Sequence, residues 1–331
     1  MTGFTPRIKE LDRTSEKDYL KLGYALKKEG RFEEALSNFK EVLRTEPRSI
    51  PARIALGNIY FKMRNYDEAL KRFQEVIQLD PLMPKAALKA GNVYLRQGNL
   101  DKALEQFENF LNLAPKSQSI EAHLNIARVL LQQKKYEAAI QQFYKALSFN
   151  PQDTSIRVAI AKAYKTQGKL EEAISELRLA HNINPTLWNS YAVLGSIYLE
   201  QEEYGEAREA FEQALNLNPK APAAKFGLAE ALIAEDQLEE ATKILRKMSE
   251  REDVAPRKHK LFGDIYYRQN LFKEAIQEYQ ATILLTSKEG DSADGIHNLN
   301  DLVGQDSSKL KELADTYKTS ATRALQNENL N

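Results

Sequence analysis

The sequence predicts an all-α solenoid of stacked helix-turn-helix hairpins, and three observations carry the prediction. A pattern of small and apolar residues returns every 34 residues along a chain of 331. Inside each unit the apolar positions fall at helical spacing twice, once on either side of a turn. Six units close on a proline, Pro47, Pro81, Pro115, Pro151, Pro185 and Pro219, and proline does not continue the helix before it.

The stretch 50–83 shows why the pattern repeats. Leu56, Gly57 and Tyr60 share a face of a first helix, Ala69, Phe73 and Val76 share a face of a second, and Asn65 lies at the turn. Small residues where the helices approach, with large residues around them, give close packing but leave one side of the hairpin apolar and uncovered. A neighbouring hairpin covers it. The small first-helix residue recurs as Gly23, Gly57, Gly91, Ala127, Ala161, Gly195, Ala229 and Gly263. The second-helix alanine recurs as Ala35, Ala69, Ala103, Ala139, Ala173, Ala207, Ala241 and Ala275, and a large residue as Phe39, Phe73, Phe107, Phe143, Leu177, Phe211, Leu245 and Tyr279.

Along the chain, residues 1–15 read as a loosely held lead-in ending on Ser15, which with Asp18 predicts a capping box for the first helix. Repeats follow at 16–49, 50–83, 84–117, 120–153, 154–187, 188–221, 222–255 and 256–289, with Gln118 and Ser119 as extra residues in a surface turn. Gly30, Gly98 and Gly168 fall between the two helices of a hairpin, where the backbone needs their freedom. Acidic pairs such as Glu33-Glu34, Glu171-Glu172 and Glu239-Glu240 open second helices, at the positive end of the helix dipole. The pattern fails after Ser287. Residues 290–306 read as a polar connector, and 307–326 as an amphipathic capping helix with Leu310, Leu313, Ala314, Tyr317, Ala321 and Leu325 on one face. A partner-binding or dimerising role for that last helix stays open.

The large-Leu-Gly-Tyr order of the first helix, the later Ala, Phe and Pro, and the period of 34 together resemble the tetratricopeptide repeat. The resemblance covers residues 16–289. It implies a right-handed α-solenoid of eight repeats that acts as a non-catalytic protein-interaction scaffold or adaptor, binding a peptide or helical segment of a partner in its concave groove.

Composition narrows the remaining classes. The absence of Cys excludes disulfides, thiolate metal sites and a cysteine nucleophile. No apolar run reaches membrane-spanning length and the first fifteen residues lack the apolar centre of a secretory signal, so the expected compartment is the cytoplasm, without membrane insertion. Basic and acidic residues balance at 47 each, which gives no support to general nucleic-acid binding. The balance is uneven, with 21 basic against 16 acidic residues in 1–119 and 7 against 14 in 188–255. His123, His181, His259 and His297 fall at different places in the repeat and no glycine-rich phosphate loop occurs, so no metal, cofactor or catalytic constellation is expected.

What remains is surface. The resemblance places positions two, five, nine, twelve and thirteen of each repeat in the groove. It implies a partner-binding set of Ile54, Asn58, Phe61, Lys62, Leu88, Asn92, Leu95, Arg96, Leu124, Arg128, Leu131 and Lys162, an apolar stripe beside amides and cations that suits an acidic and apolar peptide or helix. Around Glu200 and Glu230 the groove is expected to turn acidic. Some tetratricopeptide co-chaperones clamp a terminal carboxylate with Lys at position five, Asn at nine in successive repeats and a basic pair at two and six. Here, counting from the first repeat, Asn58, Lys85 and Lys89 match while Leu20 and Tyr24 depart, and counting from the second, Asn58 and Asn92 match while Ile54, Glu121 and Asn125 depart, so the clamp is incomplete in either register. A regulatory or assembly subunit that docks through its convex face or C-terminal helix is the alternative reading, and homo-oligomerisation is left undecided.

Overall fold

The computed structural model describes residues 16–114, 119–248, 255–286 and 307–328, and among these the regular elements are α-helices alone. The lead-in 1–15 with its Ser15 cap, Pro115, Gln118, Ser287 and the connector 290–306 with His297 lie outside the described residues. Among the described residues no helix is long and apolar enough to cross a membrane.

The chain divides into two units, residues 1–156 and 157–331. The first holds α1 (Glu16–Lys28), α2 (Phe32–Thr45), α3 (Ile50–Lys62), α4 (Tyr66–Leu79), α5 (Pro84–Arg96), α6 (Leu100–Leu113), α7 (Ile120–Gln132) and α8 (Tyr136–Phe149). Each odd-numbered helix packs on the even-numbered one that follows, and α3, α5 and α7 also pack on the hairpin before. Pro51 and Pro84 stand in the first turns of α3 and α5, where the missing N–H has no partner to lose.

Turn chemistry follows the period rather than the residue type. Gly30, Arg64, Gly98 and Lys134 occupy the same place in successive hairpins and all have positive φ, between 58° and 80°. The next N–H then reaches back to close the first helix, as Asn65 N does to Tyr60 O at 2.9 Å and Asn99 N to Tyr94 O at 2.9 Å, the six-to-one bond of a Schellman cap. Asn65 and Asn99 also cap the second helix, accepting from Glu68 N and Lys102 N at 3.3 Å.

The interior explains the small residues. A Cβ added at Gly57 would lie 2.6 Å from the Phe73 ring, and one at Gly91 would lie 2.6 Å from the Phe107 ring, so the hairpin closes only because that atom is absent. Leu26, Phe39, Leu56, Ile59, Phe73 and Val93 are buried in one cluster that crosses three hairpins.

The second unit holds most of α9 (Thr154–Thr166), then α10 (Leu170–Ile183), α11 (Trp188–Glu200), α12 (Tyr204–Leu217), α13 (Pro222–Ala234), α14 (Leu238–Arg246), α15 (Ala255–Arg268), α16 (Phe272–Thr286) and α17 (Ser307–Glu328). Phe211 is buried against both Gly195 of its own hairpin and Gly227 of the next. The last helix packs on α15 and α16. Its Leu310, Ala314, Tyr317 and Ala321 are buried with Phe272, Ile276 and Tyr279, so the apolar face read from the sequence is the face that α17 encloses.

Candidate functional site

The first unit carries a concave pocket of about 1010 Å³ built by α3, α5 and α7. Helical spacing brings Leu95, Leu124 and Leu131 onto its apolar wall with Phe61. Its polar wall comes from Asn92 and Arg96 on α5 and from Asn125 and Arg128 on α7. Ile120, Glu121 and Gln132 complete the lining, and of these Glu121 and Gln132 are exposed.

Three of the polar groups form a relay. Arg128 Nη1 donates to Asn125 Oδ1 at 3.0 Å, and Asn125 Nδ2 donates to Asn92 Oδ1 at 2.8 Å. Asn125 is only 3% exposed, whereas Arg96 and Arg128 reach solvent. Among the described residues neither arginine meets a carboxylate. Two cations therefore face an apolar-floored pocket without a direct ion pair, and the Glu121 carboxylate shares the lining with them.

Seven of the twelve groove residues expected from the sequence come together here: Phe61, Asn92, Leu95, Arg96, Leu124, Arg128 and Leu131. Ile54, Asn58 and Lys62 share α3 with Phe61 but do not line the pocket. Lys62 Nζ lies 5.7 Å from the Phe32 ring centre. It and Lys89 hold the Lys27 ammonium below the ordinary lysine value, after the larger effect of burial, so the α1–α5 side of this unit is cationic as well. Leu88 is a correction: at 6% exposure it belongs to the interior rather than to an open stripe. Val158 and Phe226 at the same position are also buried, whereas Ile54 and Leu124 there stay half-buried, so depth at position five varies from repeat to repeat. Asn125 is the residue that spacing missed. It departs from the clamp pattern, and its only sequence signal is its place three residues before Arg128, which helical spacing turns into a contact.

Lys162 belongs to the second unit, where it lines a smaller cavity of about 260 Å³ with Trp188, Ser196, Glu230 and Arg257. The acidic groove expected around Glu200 and Glu230 is also corrected. Lys165 Nζ meets Glu200 at 2.5 Å, and Arg257 donates to Glu230 Oε1 from Nη2 at 2.8 Å and from Nε at 3.2 Å while lying 4.9 Å from the Phe226 ring centre. Helices one repeat away supply cations to both acids, so their charge is spent inside the unit.

The described histidines are apart and differently engaged. His123 Nδ1 contacts Gln142 Oε1 at 2.8 Å and His259 Nδ1 contacts Glu278 Oε2 at 2.6 Å. His181 Nε2 lies 2.6 Å from the hydroxyl of fully buried Ser190 and its ring stacks on Tyr191 at 4.2 Å, with burial holding it below the ordinary histidine value. Among the described residues no group of three or more His, Asp or Glu is placed to hold a metal.

Residues 81–297 match the family described as the Cilia and flagella-associated protein 70 C-terminal domain. Residues 26–72 match a family described as tetratricopeptide repeat, and residues 57–98 one described as TPR repeat. A comparison with curated proteins finds no match. Among solved structures, a tetratricopeptide repeat protein from Parabacteroides merdae ATCC 43184 is 15% identical with a TM-score of 0.61, over 80% of this chain and 98% of that one. PilW, a type IV pilus biogenesis factor, is 15% identical with a TM-score of 0.56, over 64% of this chain and 98% of its own. PilF of Pseudomonas aeruginosa is 19% identical with a TM-score of 0.54, over 65% and 97%. At these identities the likeness is one of fold.

Proposed function

The chain belongs to the tetratricopeptide-repeat family, in the group described as the Cilia and flagella-associated protein 70 C-terminal domain, and we propose that it is a non-catalytic scaffold that receives a peptide or helical segment of a protein partner in the groove of its first unit. One observation carries the reading: the pocket of about 1010 Å³ sets an apolar wall of Leu95, Leu124 and Leu131 beside Arg96 and Arg128. A segment that places apolar residues on the leucines and an acid near the arginines buries apolar area and forms charge-assisted hydrogen bonds at once. Phe61 and Asn92 belong to the same pocket, and the half-buried Ile54 and Asn58 and the exposed Lys62 share α3 with Phe61. Lys162 belongs to the separate cavity of the second unit and is no part of this docking surface.

Affinity capture from the source cell's lysate, read by mass spectrometry, tests the proposal. The wild type is compared with Arg96→Glu/Arg128→Glu and with a chain ending at residue 287. Partners lost with the charge reversal and kept by the shortened chain are the expected result. Partners kept by the reversal and lost on shortening would transfer the function to α17 and make the chain an assembly subunit docking through its C-terminal helix.

A further inference from the structure

The direction of the hydrogen bonds in the first-unit pocket is set by the one group in it that has no choice. Arginine only donates, so the Asn125 atom that Arg128 Nη1 contacts at 3.0 Å is its oxygen. The Asn125 nitrogen must then point the other way, and the Asn92 atom it meets at 2.8 Å must be an oxygen too. Each amide oxygen of the relay already accepts one hydrogen bond, so what the relay turns outward is mainly donors. What it offers an incoming chain is the amide N–H pair of Asn92 and the remaining guanidinium N–H groups of Arg128, beside those of Arg96.

From this donor face we infer that the pocket takes an internal Asp or Glu side chain of the partner segment, its carboxylate on Arg96 and Arg128 and a neighbouring backbone carbonyl on Asn92, with Asn125 as the positioning residue. The inference rests on the reading of this groove as the docking surface. Charge complementarity selects the occupant, because a basic or donor-only segment would leave the arginines unmatched. A terminal carboxylate fits less well, since Ile54 and Glu121 stand where a clamp requires cations. Leu95, Leu124 and Leu131 then take the apolar residues beside the acid. Asn125 does not need to touch the ligand. Its burial and its two bonds hold Arg128 and fix which way the Asn92 amide faces.

The test is a selection of short random peptides, displayed internally, on the full chain. The recovered sequences are resynthesised with amidated C-termini and titrated by fluorescence polarisation. The expected peptides share an Asp or Glu flanked by apolar residues, and replacing that acid by its amide weakens binding by about tenfold or more, as loss of a charged hydrogen bond does. Asn125→Asp is the informative variant. The new carboxylate still accepts from Arg128 but cannot donate to Asn92, and its charge competes with the ligand's. Read below its own melting transition, the variant should bind acid and amide peptides equally, a loss of discrimination that mere loosening of the fold would not produce. Groove peptides that bind the wild type equally well as acid or amide, or that need a free C-terminus or a phosphoserine, would overturn the inference and leave the groove reading standing. Peptides indifferent to Leu95→Ser and Leu131→Ser, or no recovered peptide at all, would overturn both.

Discussion

Arg128 in the first unit and Arg257 in the second both rise from the first helix of a hairpin, yet they meet different surroundings. Arg128 bonds a neutral amide and keeps its charge for the pocket, whereas Arg257 places two N–H groups on one oxygen of Glu230 and covers the Phe226 ring. The second unit repeats the habit in Lys165–Glu200, Arg208–Glu235 and Arg157–Glu176. Charge counts would suggest an acidic second groove, since 188–255 holds 14 acidic residues against 7 basic. Pairing decides otherwise: a surface is available to a charged partner only where its own helices do not already neutralise it.

The largest expected effects separate packing from docking. Phe107→Ala removes the ring that fills the gap at Gly91, costing the first unit about 3–5 kcal/mol, and because α5 carries Asn92 and Arg96 it should also abolish groove binding. Phe211→Ala should cost the second unit a similar amount while peptide affinity, read below the melting transition, stays at the wild-type value. Loss of binding in the second variant would break the comparison. Charge changes come next. Glu176→Gln removes the carboxylate that half-buried Arg157 meets at 3.1 Å, and thermal denaturation should register a loss of about 1–3 kcal/mol. Arg128→Gln, on an exposed side chain, should move stability by less than about 0.5 kcal/mol and still weaken binding of an acidic peptide about tenfold.

Acid should act through the second unit. Burial against Ser190 and Tyr191 holds His181 below the ordinary value of 6.5, so the unfolded chain takes up this proton before the folded one does. The sign follows: this contribution is intact above pH 6.5, falls as pH drops from there toward the lower folded value, and then levels off. Denaturant midpoints measured from pH 8 to 5 should show the decline, and His181→Gln should flatten it. The smallest effect is at the turns. Gly98→Ala forces a side chain into φ of +73°, costing about 1 kcal/mol, and Arg64→Gly relieves the same strain at φ of +59° against a more flexible unfolded chain. Its net change should be smaller than that of Gly98→Ala.

The fold was readable because the constraint is local and repeated. Gly57 and Phe73 are sixteen residues apart in every copy of the unit, so their complementary sizes recur at fixed spacing. Turn geometry was half legible: Gly30 and Gly98 announce positive φ by type, but Arg64 and Lys134 adopt it only because the period puts them there. The groove was legible as a face and not as a set of states. Spacing placed Arg96 and Arg128 near Leu95 and Leu131, but it could not tell that Leu88 is enclosed or that Glu230 is matched by Arg257, because each depends on a helix from another repeat. Asn125 was missed for the same reason. Its meaning comes from Asn92, one repeat back, and from the side chain that must donate to it.

Hydrogen–deuterium exchange of the full chain, with and without a saturating acidic peptide from the selection, tests the central claim most directly. Protection should appear over residues 84–96 and 120–132, the two helices that carry the asparagines and arginines, and residues 188–200 and 222–234 should exchange as in the free protein. Protection confined to those second-unit helices would contradict the account, because it would put the docking surface where the charges are already paired.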